Sequence, residues 1–212
     1  MAKTMGYGLM DAGYQQALST SPGYNKDYKG RSYDPAKAKQ LLAKAGYPNG
    51  FKTKIIITGA PLYRDVATAL QGYLAAVGID AQMDVADIAR YNSLIFQTTW
   101  KDSLFLYTSG QDPGVVFADR FIKVYKPGGR FPSMARPPEL AGLMEQCFSA
   151  TDTATLFSLS RQMVKWVADE ALTIPIVTLP FPVVSQEYVH ISYHHGPTPG
   201  VWDMSSDWME KK

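Results

Sequence analysis

An α/β fold, built from βαβ units with a mixed, largely parallel sheet flanked by helices, is predicted by three features of this sequence. Short apolar runs rich in β-branched residues alternate with segments of helical period. The connections between them are short, and a strand–helix–strand order with short links calls for parallel strands and a right-handed crossover. Finally, 46% hydrophobic residues in a chain of 212 is ample for a buried core.

Residues 1–32 are rich in glycine, tyrosine and turn formers without a sustained period, and read as a mostly irregular lead-in. The regular part begins with "YDPAKAKQLLAKAGYPNGF", Tyr33 to Phe51. Asp34 suits an N-cap and Pro35 the first helical position. Ala38, Leu41, Leu42 and Ala45 then recur at helical spacing, Gly46 supplies the stop, and Lys37, Lys39 and Lys44 fall on the solvated side. Pro48-Asn49-Gly50 makes a turn, and Lys54–Thr58 ("KIIIT") has the continuous apolar character of a strand buried on both faces.

A helix from about Leu62 to Val77 follows, with Val66, Ala69, Leu70, Tyr73 and Val77 on one stripe and Gly78 as its stop. From Ile79 to Val85 the apolar positions alternate as in a strand, and Asp87 to about Gln97 reads as a helix carrying Ile88, Tyr91, Leu94 and Ile95. "SLFLYT", Ser103 to Thr108, is the next strand. After "SGQDPG" comes a short helix with Val116, Phe117, Phe121 and Ile122. Lys126 to Pro138 reads as a long surface loop by its Pro and Gly content. Two helices, Glu139–Phe148 and about Thr153–Glu170, bury Leu140, Leu143, Met144 and Cys147, and Leu156, Leu159, Met163, Trp166 and Val167. The prolines of "IPIVTLPFPVVS" push that extended segment to a sheet edge or a crossover.

Charge and motifs exclude several functions. A net charge of +2 with no long basic run argues against nucleic acid. The one cysteine, Cys147, forms no internal disulfide, and no CxxC suggests redox or zinc chemistry. Met1 to Met10 has no signal-peptide pattern. The longest apolar stretch, Ile174 to Ser185, is about half of the roughly 20 residues a membrane helix needs. GxSxG, GxxxxGK[ST], GxGxxG and HExxH are missing, so neither a hydrolase nor a nucleotide-binding enzyme is expected.

Other polar groups read as structural. His194 and His195 are adjacent and would share one metal only in an irregular loop, so an exposed turn is preferred. Asp84 and Asp87, like Asp169 and Glu170, read as strand-end and helix-end charges, and Gly128-Gly129-Arg130 is a weak anion-nest signal. The loop after "SLFLYT" matters more, because ligands in open α/β sheets are met at the carboxyl ends of strands. It offers Ser109, Gln111 and Asp112 with Tyr107 close by, although Asp112 also suits the cap of a helix that starts at Pro113.

In order along the chain, "YDPAKAKQLLAKAGYPNGF", the strand after it, "RDVATALQGYLAAVGIDAQM", an aromatic-rich strand ending near "DP", and "DEALTIPIVTLP" resemble the second half of the peptide/nickel-type (family 5) extracellular solute-binding proteins, which include dipeptide- and oligopeptide-binding proteins of ABC importers. The resemblance runs from about Gly6 to Trp208. It implies a lobe like that of type II periplasmic binding proteins, with 1–32 leading in from another lobe, 33–188 forming the ligand-binding lobe and 189–212 returning to the first. It further implies a C-terminal portion of a longer, monomeric, extracytoplasmic protein, periplasmic or lipid-anchored, whose leader lies in the remainder. Its function would be binding without cofactor, metal or catalysis: hinge closure over a small solute, then delivery to an ABC permease. A stand-alone sensor or interaction domain reusing the fold is the alternative.

One departure bears on the solute. Peptide binders of this family carry an aspartate four residues before the proline of the loop, where it holds the peptide's α-amino group; that position is Ser109 here, and Leu106 stands where a tryptophan is usual. A serine offers no charge-assisted bond to an ammonium. The resemblance therefore leaves peptide, sugar, opine and metal chelate all open as solutes.

Overall fold

The computed structural model describes residues 2–6, 8–19, 21–108, 124–178, 184–191 and 207–210. The elements are α1 (Ala2–Met5), β1 (Asp11–Ala12), α2 (Pro35–Lys44), β2 (Lys52–Thr58), α3 (Pro61–Ala75), β3 (Asp80–Ala86), α4 (Ile88–Phe96) and β4 (Ser103–Phe105). After residue 123 come α5 (Pro138–Ser149), α6 (Thr153–Asp169), β5 (Val177–Thr178), β6 (Val189–His190) and β7 (Trp208–Met209). The helix expected around Val116 to Ile122 lies outside the described residues, as do Ser109, Gln111, Asp112, His194 and His195.

β2 is the centre of a three-stranded sheet in the order β3-β2-β4, and both pairings are parallel. Ile55 lies opposite Met83 on one side and Leu104 on the other. A central strand flanked on both edges and covered on both faces needs apolar side chains at successive positions, which is why Ile55, Ile56 and Ile57 are all buried. Each contributes roughly 1.5–3 kcal/mol by leaving water. The antiparallel pairings form two separate two-stranded ladders, β1 with β5 and β6 with β7.

One face of the sheet packs Ile55, Ile57 and Ala81 against Ala67 of α3. The other packs Ile56 and Ala86 against Tyr91, Leu94 and Ile95 of α4, together with Phe131. A third cluster joins α5 and α6 through Leu140, Met144, Cys147, Met163, Val164 and Val167, with Ala17 and Tyr125 added. The short lead-in strand β1 pairs with β5, and Gln15 and Ala17 beside it are buried, so this stretch is tied to the body of the fold.

The cap expected at Asp34 forms, and Asp87 and Asp152 act in the same way. The carboxylates of Asp34, Asp87 and Asp152 accept from the backbone N–H of Lys37, Arg90 and Thr155 at the starts of α2, α4 and α6. Gly50 and Gly78 form the turns before β2 and β3, both with positive φ (75° and 90°). A Cβ on Gly50 would lie 1.8 Å from the Gly78 carbonyl oxygen, so two turns can approach here only without a side chain.

Three expectations need correction. The apolar stripe of α2 is not buried: no residue of that helix is, and Leu41 is 55% exposed. On α3 the buried pair is Val66 and Ala67, while Tyr73 faces outward against Tyr33, so the helix is rotated from the expected stripe. And 126–138 is more than surface loop: Phe131 is buried in the sheet's aromatic layer, and Arg136 donates to the carbonyls of Val124, Lys126, Arg130, Phe131 and Met134. A guanidinium satisfying five carbonyls lets such a loop fold inward without orphaned backbone acceptors.

Candidate functional site

The parallel sheet delivers three chain segments to its carboxyl end. β2 runs into the first turn of α3, which carries Tyr63; β3 runs into α4, which carries Tyr91; β4 runs on to Leu106, Tyr107 and Thr108. Ligands of open α/β sheets are bound at this end.

The segment leaving β4 is held residue by residue. The Leu106 N–H donates to the Ile56 carbonyl at 3.0 Å, continuing the pairing with β2. The Tyr91 hydroxyl donates to the Leu106 carbonyl at 2.6 Å. Tyr107 sets its ring edge-on to Phe131, with centroids 5.0 Å apart. The Thr108 N–H donates to the Tyr63 hydroxyl at 3.1 Å, and the two hydroxyls lie 2.5 Å apart.

Below these contacts is an aromatic layer. Phe105 stacks on Tyr91 at 4.7 Å and lies 5.0 Å from Trp100, while Tyr63 meets Tyr91 edge-on at 6.2 Å. Phe131 reaches the layer with φ of 59°, a left-handed conformation that costs a bulky residue about 1–3 kcal/mol. Its N–H donates to the Ile95 carbonyl, and its ring contacts Trp100, Phe105 and Tyr107, which together hold it there. Burial, with Tyr63 and Tyr107 adding to it, pushes the Tyr91 phenol far above its ordinary value, so it stays protonated as the donor to Leu106.

Of the residues the sequence nominates, Tyr107 stands at this end, half-buried on Phe131. Ser109, Gln111 and Asp112 follow it outside the described residues. Tyr63, Tyr91 and Thr108 were missed. Tyr91 reads from periodicity as core, which it is, but its hydroxyl serves Leu106. The signal for Tyr63 was its place in the first turn of a helix that follows a central strand.

Other polar groups sit elsewhere. Two open recesses, of about 580 and about 630 Å³, lie away from this end: one at the amino-terminal half of the sheet, bordered by Lys52, Lys54 and Trp100, the other between residues 19–27 and α6. Asp84 there is bound bidentately by Arg90 at 2.6 Å, which holds its carboxyl below the ordinary range. Lys54 of the first recess adds to Arg90 in holding that carboxyl down, so these charges are already engaged with one another. The carboxyl ends of the strands, and not the larger recesses, are therefore taken as the candidate site. Among the described residues no group of three or more His, Cys, Asp or Glu is placed to hold a metal, and no helix is long and apolar enough to cross a membrane.

Comparison with known proteins gives the family and the fold. Residues 1–124 match the family described as bacterial extracellular solute-binding proteins, family 5 Middle. A putative ABC transporter peptide-binding protein of Brucella ovis is 30% identical over 132 residues, 58% of this chain and 25% of that protein. The glutathione-binding protein GsiB of Escherichia coli is 44% identical over 68 residues, 32% of this chain and 13% of that protein. The oligopeptide-binding protein AppA of Bacillus subtilis, solved with a nonapeptide, shares the fold with a TM-score of 0.74 at 16% identity, over 99% of this chain and 44% of its own. The chain thus spans about a quarter of the length of the Brucella relative. With the family matched over residues 1–124 and the parallel lobe that structure shares, the chain belongs to the bacterial extracellular solute-binding proteins of family 5.

Proposed function

We propose that this chain is the lobe of an ABC importer's solute-binding component that closes over a small solute, and that the carboxyl end of its parallel sheet is the lobe's share of the cleft. The observation that carries this is the convergence of three parallel-strand exits, which bring together Tyr63 after β2, Tyr91 after β3 and Tyr107 and Thr108 after β4, in a chain of this family. Ser109, Gln111 and Asp112, next along the chain, complete the proposed contact set. The whole protein works extracytoplasmically as a monomer, presents its closed form to an ABC permease, and binds without catalysis or cofactor. Relatives named for peptides and glutathione support a peptide-like or similarly polar solute. Serine at position 109 favours a solute recognised without capture of a free ammonium: a sugar, an opine, a metal chelate or a blocked peptide.

The test is native mass spectrometry of the longest natural form of the protein, to find a co-purified solute at one-to-one stoichiometry. A bound solute is expected. No adduct, together with no thermal shift from panels of peptides, sugars, opines and metal chelates, overturns the reading. In that form Ser109→Asp gains affinity for free peptides; unchanged affinity overturns the argument from the missing charge.

A further inference from the structure

The contacts that hold the exit of β4 differ in kind. Those at Phe105, Leu106 and Tyr107 are made to the aromatic layer or the central strand. The one at Thr108 is made at the surface, where Thr108 is exposed and Tyr63 half-buried. Tyr63 packs its ring against both faces of the core, touching the clusters around Ile56 and around Ile57. Its packing needs only the ring, while its hydroxyl meets those of Tyr91 and Thr108.

We propose that Tyr63 is a positioning residue for solute recognition: its hydroxyl fixes the backbone and side chain of Thr108, so that one hydroxyl hydrogen of the pair is presented to an oxygen acceptor, a carbonyl or carboxylate, of a solute lying across the carboxyl ends of the strands. The pair has two O–H hydrogens and the Thr108 N–H. The N–H goes to the Tyr63 oxygen, and one O–H is used between the two hydroxyls. The Tyr91 hydroxyl also interacts with Tyr63 but spends its own hydrogen on Leu106, so donation from Tyr63 to Thr108 is the arrangement that leaves the Thr108 O–H for an outside acceptor. Without the Tyr63 hydroxyl, the Thr108 N–H turns to water and its side chain rotates freely, so a solute must order both. The proposal rests on the solute-binding reading above and assigns a role within that site.

The experiment compares the chain with Tyr63→Phe, Thr108→Val and Thr108→Ser by NMR, following hydrogen exchange at the Thr108 amide and titrations with N-acetyl-Met-Leu, a blocked peptide, and with the opine mannopinic acid as probes. Tyr63→Phe keeps the ring and is expected to raise Thr108 amide exchange about fivefold, the factor one ordinary hydrogen bond carries. Its melting temperature stays that of a surface substitution. Thr108→Val keeps the N–H bond and leaves exchange unchanged. Probe-induced shifts at position 108 are expected to be lost in Tyr63→Phe and Thr108→Val and retained in Thr108→Ser, a pattern that a purely structural tyrosine does not produce. Wild-type exchange in Tyr63→Phe, or undiminished probe shifts in it, overturns the proposal. Absence of probe shifts in the wild-type chain counts instead against the solute-binding reading, since the amide result bears on Tyr63 alone.

Discussion

Replacing Tyr91 by phenylalanine removes one oxygen atom and, with it, the donor to the Leu106 carbonyl 2.6 Å away. The ring stays in place, stacked on Phe105 and edge-on to Tyr63, so packing is preserved and the hydrogen bond is isolated. A half-buried carbonyl left without its partner costs about 1–3 kcal/mol, and the buried phenol removed with it returns part of that. The net loss is about 1–2 kcal/mol. For a chain of this size that lowers the melting temperature by roughly 2–8 °C. Circular dichroism melts and urea titrations measure it, with the urea slope unchanged because the exposed surface on unfolding is the same.

A pH arm sharpens this test. Because burial raises the folded-state phenol above its ordinary value of 10.0, the unfolded chain loses the Tyr91 proton first. The stabilisation is complete below pH 10 and declines as pH rises beyond it, by about 1.4 kcal/mol per pH unit. Tyr91→Phe lacks this decline, so the gap between wild type and variant narrows above pH 10. An unchanged melting temperature at neutral pH, or a gap that does not narrow in alkali, refutes the buried donor.

Two other substitutions and one labelling experiment probe separate parts of the fold. Gly50→Ala drives a Cβ into the Gly78 carbonyl and imposes positive φ on alanine, so a loss of at least about 2 kcal/mol is expected in urea melts; an effect below half of that would show that the two turns part freely. Cys147 is buried and burial pushes its thiol up, so reaction with a thiol reagent is expected to be slow in the native chain and fast in urea; equal rates refute it. Asp84→Asn removes a partly exposed pair with Arg90, so its cost at pH 7 is under about 1 kcal/mol. That contribution is present above the unfolded carboxyl value of 3.8 and vanishes as pH falls through the lower folded value, so wild type and variant are expected to converge in acid.

What was legible in the sequence is what local chemistry decides. Asp34, Asp87 and Asp152 announce helix starts because the cap bond spans three residues. The run Ile55–Ile57 announces a strand covered on both faces, and its place between β3 and β4 explains why it needs to be apolar throughout. β3 at the sheet's edge follows its expected alternation only in part: Ala81 is buried and Met83 half-buried, but Val85 of the same phase is 41% exposed. What was not legible depends on partners far along the chain. Phe131 reads as loop because only rings from Trp100, Phe105 and Tyr107 make its burial worthwhile. Leu41 reads as core because periodicity cannot say whether a stripe meets anything.

The same division runs through the site. The residue types proposed to meet the solute, Ser109 and its neighbours, are a matter of composition and can be judged from the sequence: the resemblance puts a charge where a hydroxyl stands at 109. The foundation beneath them is a matter of geometry, because Tyr63 and Thr108 are 45 positions apart and Tyr91 and Leu106 are 15. A charge at position 109 changes which solute group is attractive. A hydroxyl at position 63 changes how much order the solute must supply on arrival, and so acts on affinity for every solute alike. The two are therefore separable: substitutions at 109 reorder a panel of solutes, whereas Tyr63→Phe lowers affinity across the panel and leaves its order intact. Should Tyr63→Phe reorder the panel, its hydroxyl touches the solute itself and is not confined to holding Thr108.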